Sequence, residues 1–137
     1  MTLTPSDVET LARTAYGEAS SEGDAARIGV ISSVLNRAKD GHFPGGTDVG
    51  QICTAHRQYD CWDASSADCA RTKAATPGDP AYAACLGLAL VAAGGKLADN
   101  THGAVFYHDV TRFGPPAAWG KVKLVAVHGR LSFYAKG

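Results

Sequence analysis

The chain has 137 residues and carries 13 Lys and Arg against 13 Asp and Glu, a formal net charge of zero at pH 7. This length suits one domain spanning residues 1–137, since domains most often run to about 100–150 residues, and the lack of a basic field excludes a non-specific binder of nucleic acid or anionic lipid. With 45% hydrophobic and 19% charged residues, the composition is that of a folded globule and excludes a disordered chain.

Thr4-Pro5-Ser6-Asp7 reads as a helix start, with Thr4 as N-cap, Pro5 at the first helical position and Asp7 in the capping-box slot. Val8, Leu11, Ala12, Ala15, Tyr16 and Ala19 recur at helical spacing, which predicts a helix over 5–19. After Ser20-Ser21-Glu22-Gly23, Asp24 can cap a second helix with a buried stripe of Ile28, Ile31, Val34, Leu35 and Ala38, closed at Gly41. From 47 to 75 the pattern weakens to short helical pieces, one capped by Thr47 and one over 66–75. Asp79-Pro80 then opens an apolar helix through Tyr82, Leu86, Leu88, Leu90 and Val91 to Gly94-Gly95, expected to be the central core helix. Beyond Gly103 the pattern turns to strands at 104–108, 122–127 and 130–134, with His128-Gly129 as a two-residue turn. Helices first and a small antiparallel sheet last make the fold class α+β.

No apolar run reaches the roughly 20 residues of a membrane span, so a soluble monomer without a membrane partner is expected. The N-terminus lacks the basic start and apolar core of a secretory signal. Cys53, Cys61, Cys69 and Cys85 are not spaced as CxxC, and the five histidines show no HExxH pattern, so no metal or other cofactor is expected. Disulfides and plain buried thiols both remain open for the four cysteines.

Glu18 is the most informative residue. Helical spacing sets it roughly 20° from Leu11, at the edge of the buried stripe and in the last turn of its helix. Partial burial and the negative end of the helix dipole both disfavour the carboxylate and raise its pKa. An acid protonated near neutral pH can deliver its proton to a glycosidic oxygen. Gly17 beside it reads as room for a substrate to reach the backbone. The alternative is a flank glutamate bonded to nearby backbone.

The surrounding blocks go further. Leu11-Ala-Arg-Thr-Ala-Tyr-Gly-Glu-Ala19 followed by Gly29-Val-Ile-Ser-Ser-Val-Leu-Asn-Arg37 resembles the spore-cortex-lytic and related bacterial and phage cell-wall hydrolases. Gln58-Tyr-Asp-Cys-Trp62 is similar to that family's Gln-aromatic segment, and His102-Gly-Ala-Val-Phe-Tyr-His108 resembles its Gly-Ala-x-x-Tyr strand. Trp119 and His128-Gly-Arg-Leu-Ser-Phe-Tyr134 match in type and order, so the resemblance covers about residues 8–134. The cluster from Cys53 to Cys85 departs from the family pattern.

The resemblance implies a lysozyme-like fold and cleavage of the β-1,4 bond between N-acetylmuramic acid and N-acetylglucosamine in peptidoglycan. It further implies a lytic transglycosylase that uses Glu18 as acid and then base and gives 1,6-anhydromuramoyl products. A lysozyme-type hydrolase would add a second carboxylate about 5–10 Å away, for which Asp60 and Asp63 are candidates, Asp60 first. Sugar rings call for aromatic faces and fixed polar groups, which by position in the matched blocks are Gln58, Tyr107 and His108, then Trp62 and Trp119; core packing is the alternative for each. Asn36-Arg37 can orient the groove or brace the helix end.

Two other classes compete. A Cys/His peptidase would use Cys53 or Cys85 with His108 or His128, and a non-catalytic wall-binding or virion module would keep the shape alone. An extracytoplasmic substrate without a signal in the chain implies release through a holin, delivery with a phage or virion, or a chain trimmed of its leader. Zero net charge implies glycan binding that depends weakly on salt.

Overall fold

The capping box opens the first helix. In the computed structural model, which describes residues 2–137, Thr4 Oγ1 accepts the Asp7 N–H at 3.0 Å and Asp7 Oδ2 accepts the Thr4 N–H at 2.9 Å, and α1 runs Pro5–Ala19. Helix α2 follows over Asp24–Asp40. Gly23 occupies its cap position and Asp24 its first turn, one residue from the expectation, and Gly41 closes it at φ +79°, a left-handed conformation that favours glycine. Helix α3, Val49–Thr54, is capped by Asp48, whose carboxylate accepts the Gln51 N–H at 3.0 Å; Thr47 does not serve. A 3₁₀ turn over Asp60–Trp62, α4 at Asp68–Ala74 and α5 at Pro80–Ala93 complete the helical part.

Strands β1 (Phe106–Asp109), β2 (Val122–His128) and β3 (Leu131–Lys136) form an antiparallel sheet of order β1-β3-β2, with a 3₁₀ turn at Ala117–Trp119 between β1 and β2. Tyr107 pairs with Phe133 and His108 with Ser132. The hairpin turn falls on Gly129-Arg130, one residue later than the sequence pattern gave, because His128 still pairs with Leu131. Gly129 takes φ +56° there. β3 is the central strand, and Leu131 through Ala135 are all buried.

The central helix is α1, and not α5 as expected. α1 packs against α2, α3, α4 and α5. Its Arg13 donates to the carbonyls of Thr72 and Ala75 at 3.0 and 2.9 Å, and its Tyr16 hydroxyl donates to Asp79 at 2.7 Å, so both ends of the α4–α5 connection are tied to it. Only Tyr82, Cys85 and Ala89 of α5 are buried, while Leu90 and Val91 are 57% and 42% exposed. A run that is apolar on every side carries no stripe to tell its buried face from its outer one. Tyr82 meets Tyr16 edge to face at 5.9 Å, and that contact selects the inner face.

α2 lies between α1 and the sheet and is buried on more than one side, which explains why Val30 and Ser33 join Ile31, Val34 and Ala38 in the interior. Gly29 allows this packing, because a Cβ there would overlap the ring of the fully buried Phe133. Gly29→Ala is therefore expected to lower stability by about 1–3 kcal/mol through overpacking. A urea unfolding midpoint that did not move would show that the Phe133 ring has room to give way.

Candidate active site

Glu18 lies one residue from the end of α1, where three elements meet. Its Oε2 accepts the backbone N–H of Cys61, from the 3₁₀ turn, at 3.2 Å, and its Oε1 accepts the hydroxyl of Tyr107 from β1. Removal from water raises its pKa. The Tyr107 and Cys61 donors pull the other way, the negative charge of Asp60 adds to the rise, and the balance stays above the ordinary value of 4.5. The Tyr107 hydroxyl is itself pushed well above its usual range by burial and by Glu18, so it remains a donor.

Gly17 serves packing and leaves no approach for a substrate, contrary to the sequence expectation. It is buried, and a Cβ on it would overlap the Cys61 side chain and the Thr72 hydroxyl. The close contact is what lets the Cys61 N–H reach the carboxyl of the next residue.

Glu18 opens into a groove of about 720 Å³. Gln58 lines it from the loop before the first 3₁₀ turn, Asp60 from the start of that turn, Tyr107 and His108 from β1, and Trp119 from the second 3₁₀ turn. Four of the five predicted sugar contacts thus share one cavity with Glu18. Trp62 stands apart: it lines a separate depression of about 250 Å³, and its indole N–H donates to Thr14 Oγ1 of α1 at 2.9 Å. Its ring is used to brace the 3₁₀ turn on α1. Asp63 lines the same depression, with its carboxylate accepting from the Ser65 N–H and hydroxyl.

Asn36 and Arg37 brace the fold and orient the groove together. Asn36 donates to the Ala104 carbonyl at 2.9 Å and Arg37 to the Val105 carbonyl at 2.7 Å, which fixes the backbone leading into β1. Arg37 also donates to Gln58 Oε1 at 3.0 Å. Its buried guanidinium lies over the rings of Phe43, Tyr59 and Phe106 at 4.8, 5.2 and 5.4 Å, a cation–π setting that offsets lost solvation. Trp119 stacks on Phe106 at 4.6 Å and 11°, and His108, Trp119 and Tyr134 form a triangle of rings with centroids 5.2, 5.2 and 5.5 Å apart. Burial and the charge of Arg112 push the His108 pKa down, favouring the neutral imidazole.

The Cell Wall Hydrolase family model matches residues 21–134. The chain belongs to the Cell Wall Hydrolase family. The matched stretch begins just past Glu18, so the end of α1 lies outside it. Likeness to solved structures takes in that helix as well. The catalytic domain of the Bacillus cereus SleB protein is 22% identical with a TM-score of 0.70, over 95% of this chain and 90% of that one. The catalytic domain of the germination-specific lytic transglycosylase SleB from Bacillus anthracis is 21% identical with a TM-score of 0.69, over 96% and 95%. At that identity the likeness concerns the fold. No curated protein matches the chain.

In this member of the Cell Wall Hydrolase family all four cysteines are free and buried. Burial raises the thiols of Cys53 and Cys85 to about 12 and about 11, and neither lines the groove. A cysteine nucleophile needs a thiolate, so the Cys/His peptidase reading is set aside. The sequence reading missed Tyr59, Arg57, Arg112 and Asp109 as groove residues. It also missed the Cys61 N–H, a backbone donor that no side-chain motif can announce.

The raised pKa of Glu18 has a consequence for stability. Between 4.5 and the raised value the folded state binds a proton that the unfolded chain has released, so stability falls as pH rises through that interval. Glu18→Gln removes the penalty. The variant is expected to melt at a higher temperature than the parent near neutral pH, with the gain vanishing below about pH 4.5. A gain that persisted unchanged into acid would contradict this assignment.

Proposed function

We propose that this chain is a peptidoglycan-degrading glycosidase that cleaves the bond from N-acetylmuramic acid to N-acetylglucosamine as a lytic transglycosylase, with Glu18 as acid and then base. The observation that carries this reading is the setting of Glu18, a carboxyl drawn out of water, held by two donors and opening into a groove lined with aromatic rings. A carboxyl so placed keeps its proton to higher pH than an ordinary one. Membership in the Cell Wall Hydrolase family supports the choice of polymer.

In the proposed reaction the Glu18 proton passes to the glycosidic oxygen, and the bond from C1 to that oxygen breaks with its electron pair staying on the oxygen. The muramoyl 6-hydroxyl then attacks C1 and gives its proton to the Glu18 carboxylate, which restores the acid. No water is consumed and the product ends in a 1,6-anhydro ring. Tyr107 holds the carboxyl and lowers its pKa through the hydrogen bond, so its part is positioning. Gln58, fixed by Arg37, presents an amide to the sugar, while His108 and Trp119 supply a polar edge and an aromatic face. The partner is the glycan strand, met by a monomer outside the cytoplasm.

A second reading is hydrolysis by water, favoured by Asp60, which lines the same groove and whose charge acts on Glu18. Mass spectrometry of digested sacculi separates the two: anhydromuramoyl ends are expected, and reducing ends with added water would overturn the transglycosylase. Glu18→Gln is expected to slow clearing of purified peptidoglycan by about 10²–10⁴-fold; an undiminished rate would remove Glu18 from the chemistry.

Tyr107→Phe deletes a donor that stabilises the anion, so the Glu18 pKa rises further. Because the acid must be protonated to act, the alkaline limb of the rate profile is expected to move to higher pH. Measuring kcat/KM against pH on soluble strands checks this, and a shift to lower pH would contradict it.

A further inference from the structure

The groove carries two cationic side chains that the proposed cleavage leaves unused. Five of the chain's seven arginines are engaged by the protein itself: Arg13, Arg27, Arg37, Arg71 and Arg130 each donate to backbone or side-chain oxygens. Among the described residues the other two, Arg57 and Arg112, make no side-chain hydrogen bond or ion pair, and both line the groove that holds Glu18.

Each is held by its loop. Arg57 has φ +60°, a left-handed backbone that a long side chain adopts only when its surroundings impose it. The turn closed by the Gln58 N–H on the Ala55 carbonyl at 3.1 Å imposes it here, and it seats Arg57 where the groove adjoins the smaller depression. Arg112 follows β1 in a turn closed by its own N–H on the Asp109 carbonyl at 3.0 Å, with Asp109 accepting from the Thr111 N–H and hydroxyl. Its charge reaches His108. Of the groove's anions, Asp109 is bonded to Thr111 and Arg130 and Glu18 to Tyr107 and Cys61, while the Asp60 carboxylate makes no side-chain hydrogen bond or ion pair with either arginine. The neutral sugars of the backbone offer a guanidinium only hydroxyls and amides. A planar two-pronged donor is matched by a carboxylate, and in peptidoglycan the carboxylates are carried by the stem peptides.

We propose that Arg57 and Arg112 bind the carboxylates of the stem peptides, so that the groove takes peptide-bearing glycan in preference to bare glycan. This rests on the peptidoglycan reading above. It also sets two guanidinium groups without a protein partner in the groove of a chain whose net charge is zero, and salt sensitivity then resides in the preference for peptide-bearing strands.

The test compares kcat/KM on two soluble substrates of equal strand length, both free of phosphate polymers: strands with their peptides, and the same strands after an amidase has removed them and the lactyl carboxyls so uncovered have been capped as neutral methylamides. The parent is expected to favour the peptide-bearing strands about tenfold, and Arg57→Ala and Arg112→Ala each to cut that ratio by about three- to tenfold, the loss of one charge-assisted contact. Arg57→Lys is expected to recover part of the ratio. Arg57→Gly removes the charge while suiting the left-handed backbone, so it is expected to match the alanine variant in ratio with no loss of melting temperature. Equal parent rates on the two substrates, or alanine variants that slow both in parallel, would overturn the proposal and leave the glycosidase reading standing. A preference that appeared only on walls carrying phosphate polymers would reassign the arginines to phosphate. A parent that cut neither substrate would bring down the glycosidase reading, and this proposal with it.

Discussion

Taking one carboxyl group out of water is the constraint around which this molecule is arranged. An unaided glutamate in the position of Glu18 would turn outward or be replaced, since a desolvated anion is costly unless donors compensate it. Here the compensation comes from far along the chain, from the Cys61 backbone and the Tyr107 hydroxyl. Both donors must be delivered accurately, and most of the packing can be understood as doing so. Gly17 lets the Cys61 turn close on α1, the Trp62 indole pins that turn to Thr14, and Asn36 and Arg37 anchor the strand that carries Tyr107. The opposition is balanced: the donors weaken the rise in pKa without cancelling it.

This view orders the helices as well. α1 carries Glu18 in its last turn and is held from several sides, by Tyr16 on Asp79 and by Arg13 on the end of α4. α5 supplies mass against it and leaves Leu90 and Val91 outside. β3 is buried along Leu131–Ala135 and provides a rigid floor on which β1 presents Tyr107 and His108 toward the groove.

Much of this was legible in the residues. The cap-plus-proline signals at Thr4-Pro5 and Asp79-Pro80 located two helices, because those signals are local and act through bonds within one turn. The Tyr-Gly-Glu block singled out Glu18, and the matched blocks singled out Gln58, Tyr107, His108 and Trp119, which line one cavity with it. What failed was whatever depends on a distant partner. Gly17 looked open from its own neighbours and is closed by residues more than forty positions away. Trp62 lay in the right segment, yet its indole faces Thr14. α5 was misjudged as the centre because apolar content says how much can be buried and not which face is. The two unpaired arginines carry no motif, since what sets them apart is that every other arginine has found a partner.

The four free thiols bear on where this protein can be made. Cys53, Cys61, Cys69 and Cys85 are all enclosed by the fold, and none is joined to another. The native state thus requires no oxidant, no isomerase and no particular redox poise. With the thiolate form disfavoured at Cys53 and Cys85, air and thiol reagents find little to react with there. A chain of this kind reaches the same covalent state in a reducing interior and in an oxidising exterior.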